Sequence, residues 1–223
     1  MGSLAKGWDI QLRVIKALMI RELTTRFGRE NIGFLWVMGE PVLFAVLVGI
    51  LWRAMKGPFE FGVDIVAFVV TGYIPLVLFR SSVSRGVKAL TVNGGLLYHR
   101  QIKVLDLLFV RFLIELIGHM MAYLFVGISL GIIGSFPQPF DLGFLLLGGA
   151  YFALFTFAIM LVVAALSETS ELVEKLVPVT TYLMLPFSGA FYLVSSLSTE
   201  AARIVLYFPP VHAMEMMRYL SLI

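Results

Sequence analysis

LGFLLLGGAYFALFTFAIMLVVAAL, running from Leu142 to Leu166, contains no charged residue. As a helix rising 1.5 Å per residue it is about 37 Å long, enough to cross a hydrocarbon core of about 30 Å. Working outward, four more apolar stretches of comparable length emerge at 32–55, 62–82, 104–134 and 174–197. They are continuously apolar and lack the ten-residue alternation that turns one strand face to lipid and the other to a lumen, so a β-barrel is excluded. The expected fold is an all-α integral membrane bundle of about five spans within a single domain, 1–223. With 60% hydrophobic and 14% charged residues among 223, water is not the main solvent of this chain.

The seventeen Lys and Arg residues orient the bundle, because they resist translocation. Lys6, Arg13, Lys16, Arg21, Arg26 and Arg29 precede the first span, and Arg80, Arg85, Lys88, Arg100 and Lys103 cluster between the second and third. Lys175 lies between the fourth and fifth. The opposite side receives Arg53, Lys56, Arg203 and Arg218, with Arg111 inside the third span. The N-terminus and the 83–103 segment are therefore expected on the cytoplasmic side, and the pI near 9.2 reflects this sidedness rather than nucleic-acid binding. Residues 1–31 offer no apolar core followed by a small-residue cleavage site, so no cleavable signal is expected. Five spans leave the tail outside, and a sixth span is expected beyond Ile223. Cysteine is absent, which removes disulfides and thiolate metal sites from consideration.

Several segments carry a mechanism. Trp8, Leu12, Ile15, Met19 and Leu23 recur at spacings of three and four, which predicts an interfacial amphipathic helix over 1–31 that floats as an anchor or frames an entrance. Glu40, followed by Pro41, lies within the first span, where a carboxylate costs about 2.5 to 3.5 kcal/mol and therefore faces a partner or a wet cavity. Arg111 and Glu115 stand four apart, a spacing that permits a pair along one helix face. Gly127 and Gly131 form a G-x-x-x-G, a weak signal for close helix approach. The stretch from Arg80 to Asp106, interrupted by Asn93-Gly94-Gly95, reads as helix, turn and return helix. Together with the acidic elbow Glu168 to Lys175, it is a candidate dock for a soluble partner. Residues 198–223 are expected outside the membrane or as a re-entrant helix. His212 and Glu215 are three apart, but two ligands without a third do not make a metal site. No phosphate-cradling loop, H-E-x-x-H or nucleophile elbow occurs, so any energy source must lie in another chain.

Three blocks resemble the membrane subunit of ATP-binding-cassette polysaccharide exporters, most like the KpsM capsule-export permeases. Arg21-Glu22-Leu23-Thr24-Thr25-Arg26-Phe27-Gly28 through Gly33-Phe34-Leu35-Trp36 to Glu40-Pro41 is similar to that family's R-E-x-x-T-R-F-G … G-x-L-W … E-P opening. Gly72-Tyr73-Ile74-Pro75, Asn93-Gly94-Gly95-Leu96 and Tyr98-His99-Arg100 resemble its second block. Pro210-Val211-His212 with Glu215 resembles its N-P-x-x-H-x-x-E block, with Pro209 where asparagine is usual.

The resemblance implies a type-2 ABC exporter permease fold of six spans, a homodimer, and two cytoplasmic ATPase subunits that hold the ATP and Mg. This chain itself would carry neither cofactor nor enzymatic activity. It implies Asn93, Tyr98, His99, Arg100, Glu168 and Glu171 as ATPase-coupling candidates. The implied cargo is a lipid-linked capsular glycan crossing a bacterial inner membrane, with a periplasmic co-polymerase or export adaptor as a further partner. Guanidinium groups at Arg26, Arg29, Arg80 and Arg85 suit acidic sugars and a lipid phosphate, and Trp36, Tyr73, Phe79, Tyr182 and Tyr192 offer flat apolar faces to sugar rings. An O-antigen or teichoic-acid exporter is the runner-up. A secondary transporter would show inverted repeats with paired broken helices, and an intramembrane enzyme would need converging acid and base groups; neither pattern is present.

Overall fold

The computed structural model describes residues 2–27, 32–60, 63–97, 101–134 and 142–218. Helix α1 (Gly2–Phe27) leads into α2 (Ile32–Lys56), and a two-residue antiparallel bridge, β1 (Phe59–Glu60) with β2 (Val63–Asp64), turns the chain into α3 (Ile65–Gly86). The short helices α4 (Ala89–Val92) and α5 (Gly94–Leu97) follow, then α6 (Val104–Ile133), α7 (Leu142–Thr169) and α8 (Glu171–Leu183). The chain closes with 3-10 turns at Leu185–Phe187 and Val194–Ser196, α9 (Thr199–Val205) and α10 (Pro209–Arg218). Within α2, α3, α6 and α7, the stretches Leu35–Lys56, Ile65–Gly86, Val104–Ile133 and Leu142–Thr169 are long and apolar enough to span a membrane. They match the first four expected spans within a few residues.

Helix α3 is the hub. Most of its window is buried inside the protein, whereas α2, α6 and α7 keep most of theirs on the outside. Asp64 starts it by accepting a hydrogen bond from the Val66 amide at 2.9 Å and pairs with Arg53 at 3.3 Å, so the turn after α2 is held by a side-chain cap. One side of α3 packs Val66, Val70 and Ile74 against Ala45, Ala122 and Val126 of α2 and α6. The other packs Phe79 and Val83 against Phe152 of α7 and Met214 of α10. At Gly86 a Cβ would stand 2.9 Å from the Met160 carbonyl oxygen, so only glycine lets α3 and α7 cross this closely. Gly127 and Gly131 play no such part within the chain, because a Cβ on either meets nothing within 4 Å.

Two sequence expectations are corrected here. The fifth stretch, 174–197, is not one continuous helix: α8 ends at Leu183 after 13 residues, about 20 Å, and the chain goes on through a 3-10 turn at Leu185–Phe187 to Ala190 beside Gly72 and Phe191 against Trp52, at the end of the bundle opposite Glu174. Pro186 has no amide to continue the ladder, and Gly189 at φ +74 turns the chain back. The apolarity of the stretch is divided between an outer face and packing, since Leu176, Val179 and Leu183 are exposed while Val177, Ala190 and Leu193 are buried. The α1 stripe is also divided. Ile15, Met19 and Leu23 pack with Val110 and Ile114 of α6 around Leu18, which lies off the predicted stripe, while Trp8 and Leu12 stay exposed. Helix α1 is thus docked along the first turns of α6 rather than lying free.

The last element is tied down by a buried cation. Arg218 is 2% exposed, and its guanidinium donates to the carbonyl oxygens of Gly189 (2.6 Å), Tyr192 (3.1 Å), Phe68 (3.3 Å) and Ala190 while lying 4.2 Å over the Phe68 ring. A Cβ at Gly72 would collide with the Ala190 carbonyl and this guanidinium. Glu215 adds an acceptor for the Val194 amide at 3.0 Å. One side chain therefore satisfies the carbonyls exposed where the helical ladder breaks, and without it they would be orphaned away from water. Arg218→Met should destabilise the purified protein by at least about 2 kcal/mol, with Arg218→Lys intermediate, read as thermal unfolding in detergent.

Candidate functional site

The C-terminal ends of α3 and α7 and the start of α6 gather with α1, α4, α5 and the start of α8 at one end of the bundle, made basic by Arg13, Lys16, Arg21 and Arg26 of α1 together with Arg85, Lys88 and Arg111. Polar contacts bind these pieces in a definite order. Along the α1–α6 seam Gln11 donates to Asp106, Glu22 pairs with Arg111 at 3.2 Å, and Arg26 pairs with Glu115 at 2.5 Å. Arg85 of α3 reaches the same Glu115 oxygen at 3.5 Å, and Arg111 also donates to the Arg85 carbonyl at 3.0 Å. Glu115 is 1% exposed, and His119 beside it is nearly as deep, its Nδ1 lying 2.8 Å from the Glu115 carbonyl. The Arg111–Glu115 pair along one helix face is not formed; each residue is matched across helices instead. A buried carboxylate is tolerated only when paired, and stripping its partners costs about 3 to 5 kcal/mol.

The α4–α5 knob is clamped from two sides. Lys88 begins it in the left-handed region (φ 47), and its amide donates to Ser167 at 3.0 Å. Glu168 then accepts from the amides of Leu90 and Thr91, both at 3.0 Å, and from the Thr91 hydroxyl. These amides open α4 and have no partner within so short a helix, so a carboxylate from α7 serves as their acceptor. Lys88 Nζ meets Glu174 of α8 at 2.8 Å. That contact raises the lysine pKa, so Lys88 stays charged at neutral pH and gives up its side of the link only as strongly alkaline medium removes the proton. On the other side, buried Asn93 donates to the Ala89 carbonyl at 2.9 Å and accepts from Arg21 of α1 at 3.2 Å.

A second arrangement faces outward at membrane depth. Tyr73 of α3 stacks on Phe44 of α2 with centroids 5.3 Å apart, and Glu40, Arg80 and Tyr182 lie close enough to act on its hydroxyl. Arg80, seven residues on along the same face of α3, places its guanidinium 4.0 Å over the Tyr182 ring of α8. Glu40, Trp36 and Tyr182 are exposed on this face. Phe79 is turned into the core against Phe155, away from it, and Tyr192 sits at the far end, its carbonyl bound by Arg218. Glu171 is exposed beside the knob. Arg29, Tyr98, His99 and Arg100 lie outside the described residues. No group of three or more metal-ligating side chains occurs among the described residues. Sequence reading missed Ser167, Glu22, Arg21 and His119. Glu22 and Arg26, four apart on α1, were the available hint, since each needs a partner once α1 docks.

Four helices long and apolar enough to span, joined by a buried charge seam and a clamped knob at the basic end, define an integral membrane protein. The comparisons name the family: the chain belongs to the ABC-2 type transporters, whose family pattern matches residues 13–222. It is 36% identical over 210 residues to the capsule polysaccharide export inner-membrane protein BexB of Haemophilus influenzae, covering 94% of this chain and 79% of that one. Similarity to the capsule polysaccharide export inner-membrane protein CtrC of Neisseria meningitidis serogroup B is 36% over 209 residues, with the same coverage. The polysialic acid transport protein KpsM of Escherichia coli is 25% identical over 213 residues, or 95% of this chain and 82% of that one.

The knob's dependence on α7 is testable without its partner. In Glu168→Ala the Leu90 and Thr91 amides lose their acceptor, and their hydrogen exchange should accelerate at least about tenfold, the equivalent of about 1.4 kcal/mol, while exchange in α6 is unchanged.

Proposed function

We propose that this chain is the permease of an ATP-driven exporter of capsular polysaccharide, working as a homodimer with an ATPase subunit under each copy. One observation carries the reading: similarity to capsule-export inner-membrane proteins runs through 94% of the chain, across every element from α1 to α10. Those relatives favour a capsule glycan over O-antigen or teichoic acid. The basic end is cytoplasmic in this reading, with the N-terminus there and α9–α10 toward the periplasm, where a co-polymerase or adaptor would meet it. ATP and Mg belong to the ATPase subunit, and this chain supplies the path and the coupling surface.

The side chains support both roles. An exposed carboxylate at membrane depth is expensive against lipid, so the Glu40, Tyr73, Arg80 and Tyr182 face borders either a second copy or a wet passage. Aromatic faces take up the apolar faces of sugar rings, and Arg80 supplies a fixed cation for acidic sugars. The guanidinium over Tyr182 joins α3 to α8, so a glycan displacing that contact would alter how the two helices meet. On the cytoplasmic side, α4–α5 projects as a unit held by Ser167, Glu168 and Glu174 from behind and by Arg21 from the side. A push on the knob is therefore delivered to α7, α8 and α1 together. Glu171 and the 98–100 segment border that surface in sequence.

The test is expression of the chain in a capsule-deficient strain lacking its own permease, with surface capsule, permease level and ATPase co-purification measured together. The purified chain alone should hydrolyse no ATP. Arg80→Ala should leave the assembled complex hydrolysing ATP while surface glycan falls about tenfold, the loss expected for one charge-assisted contact of about 1.5 kcal/mol. Normal capsule in that variant would remove Arg80 from the path, and robust ATP turnover by the isolated chain would overturn the permease reading.

A further inference from the structure

Arg26 and Arg85 come from different helices, α1 and α3, and meet at one oxygen of one carboxylate, Glu115 of α6, at 2.5 and 3.5 Å. Glu115 is almost fully buried, with the neighbouring His119 Nε2 left without a hydrogen-bond partner, whereas Arg26 is mostly buried and Arg85 about half exposed. Two cations sharing one carboxylate in such surroundings compete: a short contact to one is made at the expense of the other, and small displacements carry large energies where the dielectric is low. Arg111 stands between the same helices, with Nε 3.2 Å from Glu22 of α1 and Nη1 donating to the Arg85 carbonyl. A shift of the α3 end is therefore felt at both α1 pairs.

We propose that Glu115 is a positioning residue for transport coupling, the shared anchor of a latch that exchanges Arg26 for Arg85. The inference rests on the permease reading above. Arg85 is one residue from the end of α3, and Ala89, which opens the knob, is four residues further on. A stroke on the knob moves the Arg85 end of α3 first. When Arg85 closes on Glu115, Arg26 is released and the end of α1 loosens from α6 just where the chain passes toward α2 and Glu40. In the structure α1 is held, with Arg26 at the shorter distance. The arrangement links nucleotide turnover to the entrance of the path through α3, α6 and α1.

The chain has no cysteine, so Leu18→Cys, buried where α1 meets α6, is a sole thiol reporting on that contact. The permease–ATPase complex in vesicles would be treated with N-ethylmaleimide with and without ATP and Mg, and glycan export measured in parallel. Alkylation is expected to be at least tenfold faster during turnover. Arg85→Gln, which leaves Arg26 to neutralise Glu115, should abolish the acceleration and lower export, and Arg85→Lys should restore both. Equal alkylation in the two conditions overturns the latch, as does acceleration that persists in Arg85→Gln. If Leu18→Cys fails to assemble, Val110→Cys on the α6 side of the same contact gives the same readout. Failure of the latch leaves export by the unsubstituted complex intact, whereas failure of the permease reading abolishes export in every variant.

Discussion

A polar group withdrawn from water must find its partner inside the protein, and in this chain that requirement decides more than apolar packing does. Leu, Val and Phe on α2, α6 and α7 are nearly as well accommodated by lipid as by one another, so they select a membrane but not an arrangement. The arrangement comes from the exceptions. Glu115 collects Arg26 and Arg85 and so brings α1 and α3 to α6. Glu168 collects the α4 amides and so brings the knob to α7. Arg218 collects four carbonyls and so brings α10 to the start of α3. Glu115 and Arg218 are buried and tolerable only with those partners in place, and Glu168, less buried, serves amides that have no other acceptor.

Much of the fold was legible because span length and charge sidedness are properties of the chain alone. The first four spans were read within a few residues, and the knob at 83–103 was marked by its basic residues and by Asn93-Gly94-Gly95. The fifth stretch was read as one unbroken helix, and its break has a cause that periodicity cannot reveal. Apolar residues facing α3 and α10 look the same in sequence as apolar residues facing lipid, and Pro178 sits within α8 while Pro186 falls beyond its end, so proline alone did not locate the break. The positive φ at Gly189 and the docking of Arg218 settle it, and both belong to tertiary structure.

The site was legible at the level of residue type and not of pairing. Glu40, Tyr73, Arg80 and Tyr182 were selected for chemistry, and the structure gathers these four on one face. Phe79 was selected on the same grounds and points into the core, because a heptad further along α3 favours Arg80's face by one residue and not its neighbour's. Arg111 and Glu115 illustrate the other limit. Their spacing suits a pair on one face, but an amphipathic helix that docks brings its own Glu22 and Arg26 into reach, and a cross-helix match satisfies four charges where the local pair satisfies two.

These constraints divide the molecule into parts of different stiffness, and the division is what a pump needs from its membrane half. At the basic end α1 and α4 are each fixed by several polar contacts, so a displacement applied to either is passed on to α6, α7 or α8. At membrane depth the Glu40–Tyr182 face is held by a ring stack and a cation over a ring, contacts whose energy changes slowly with position. Between them lies Glu115, buried and shared. Two cations around one carboxylate allow two arrangements that keep the charge neutralised, and a structure in which the charge stays paired in both can move between them without ever exposing an unpaired ion to the low-dielectric interior.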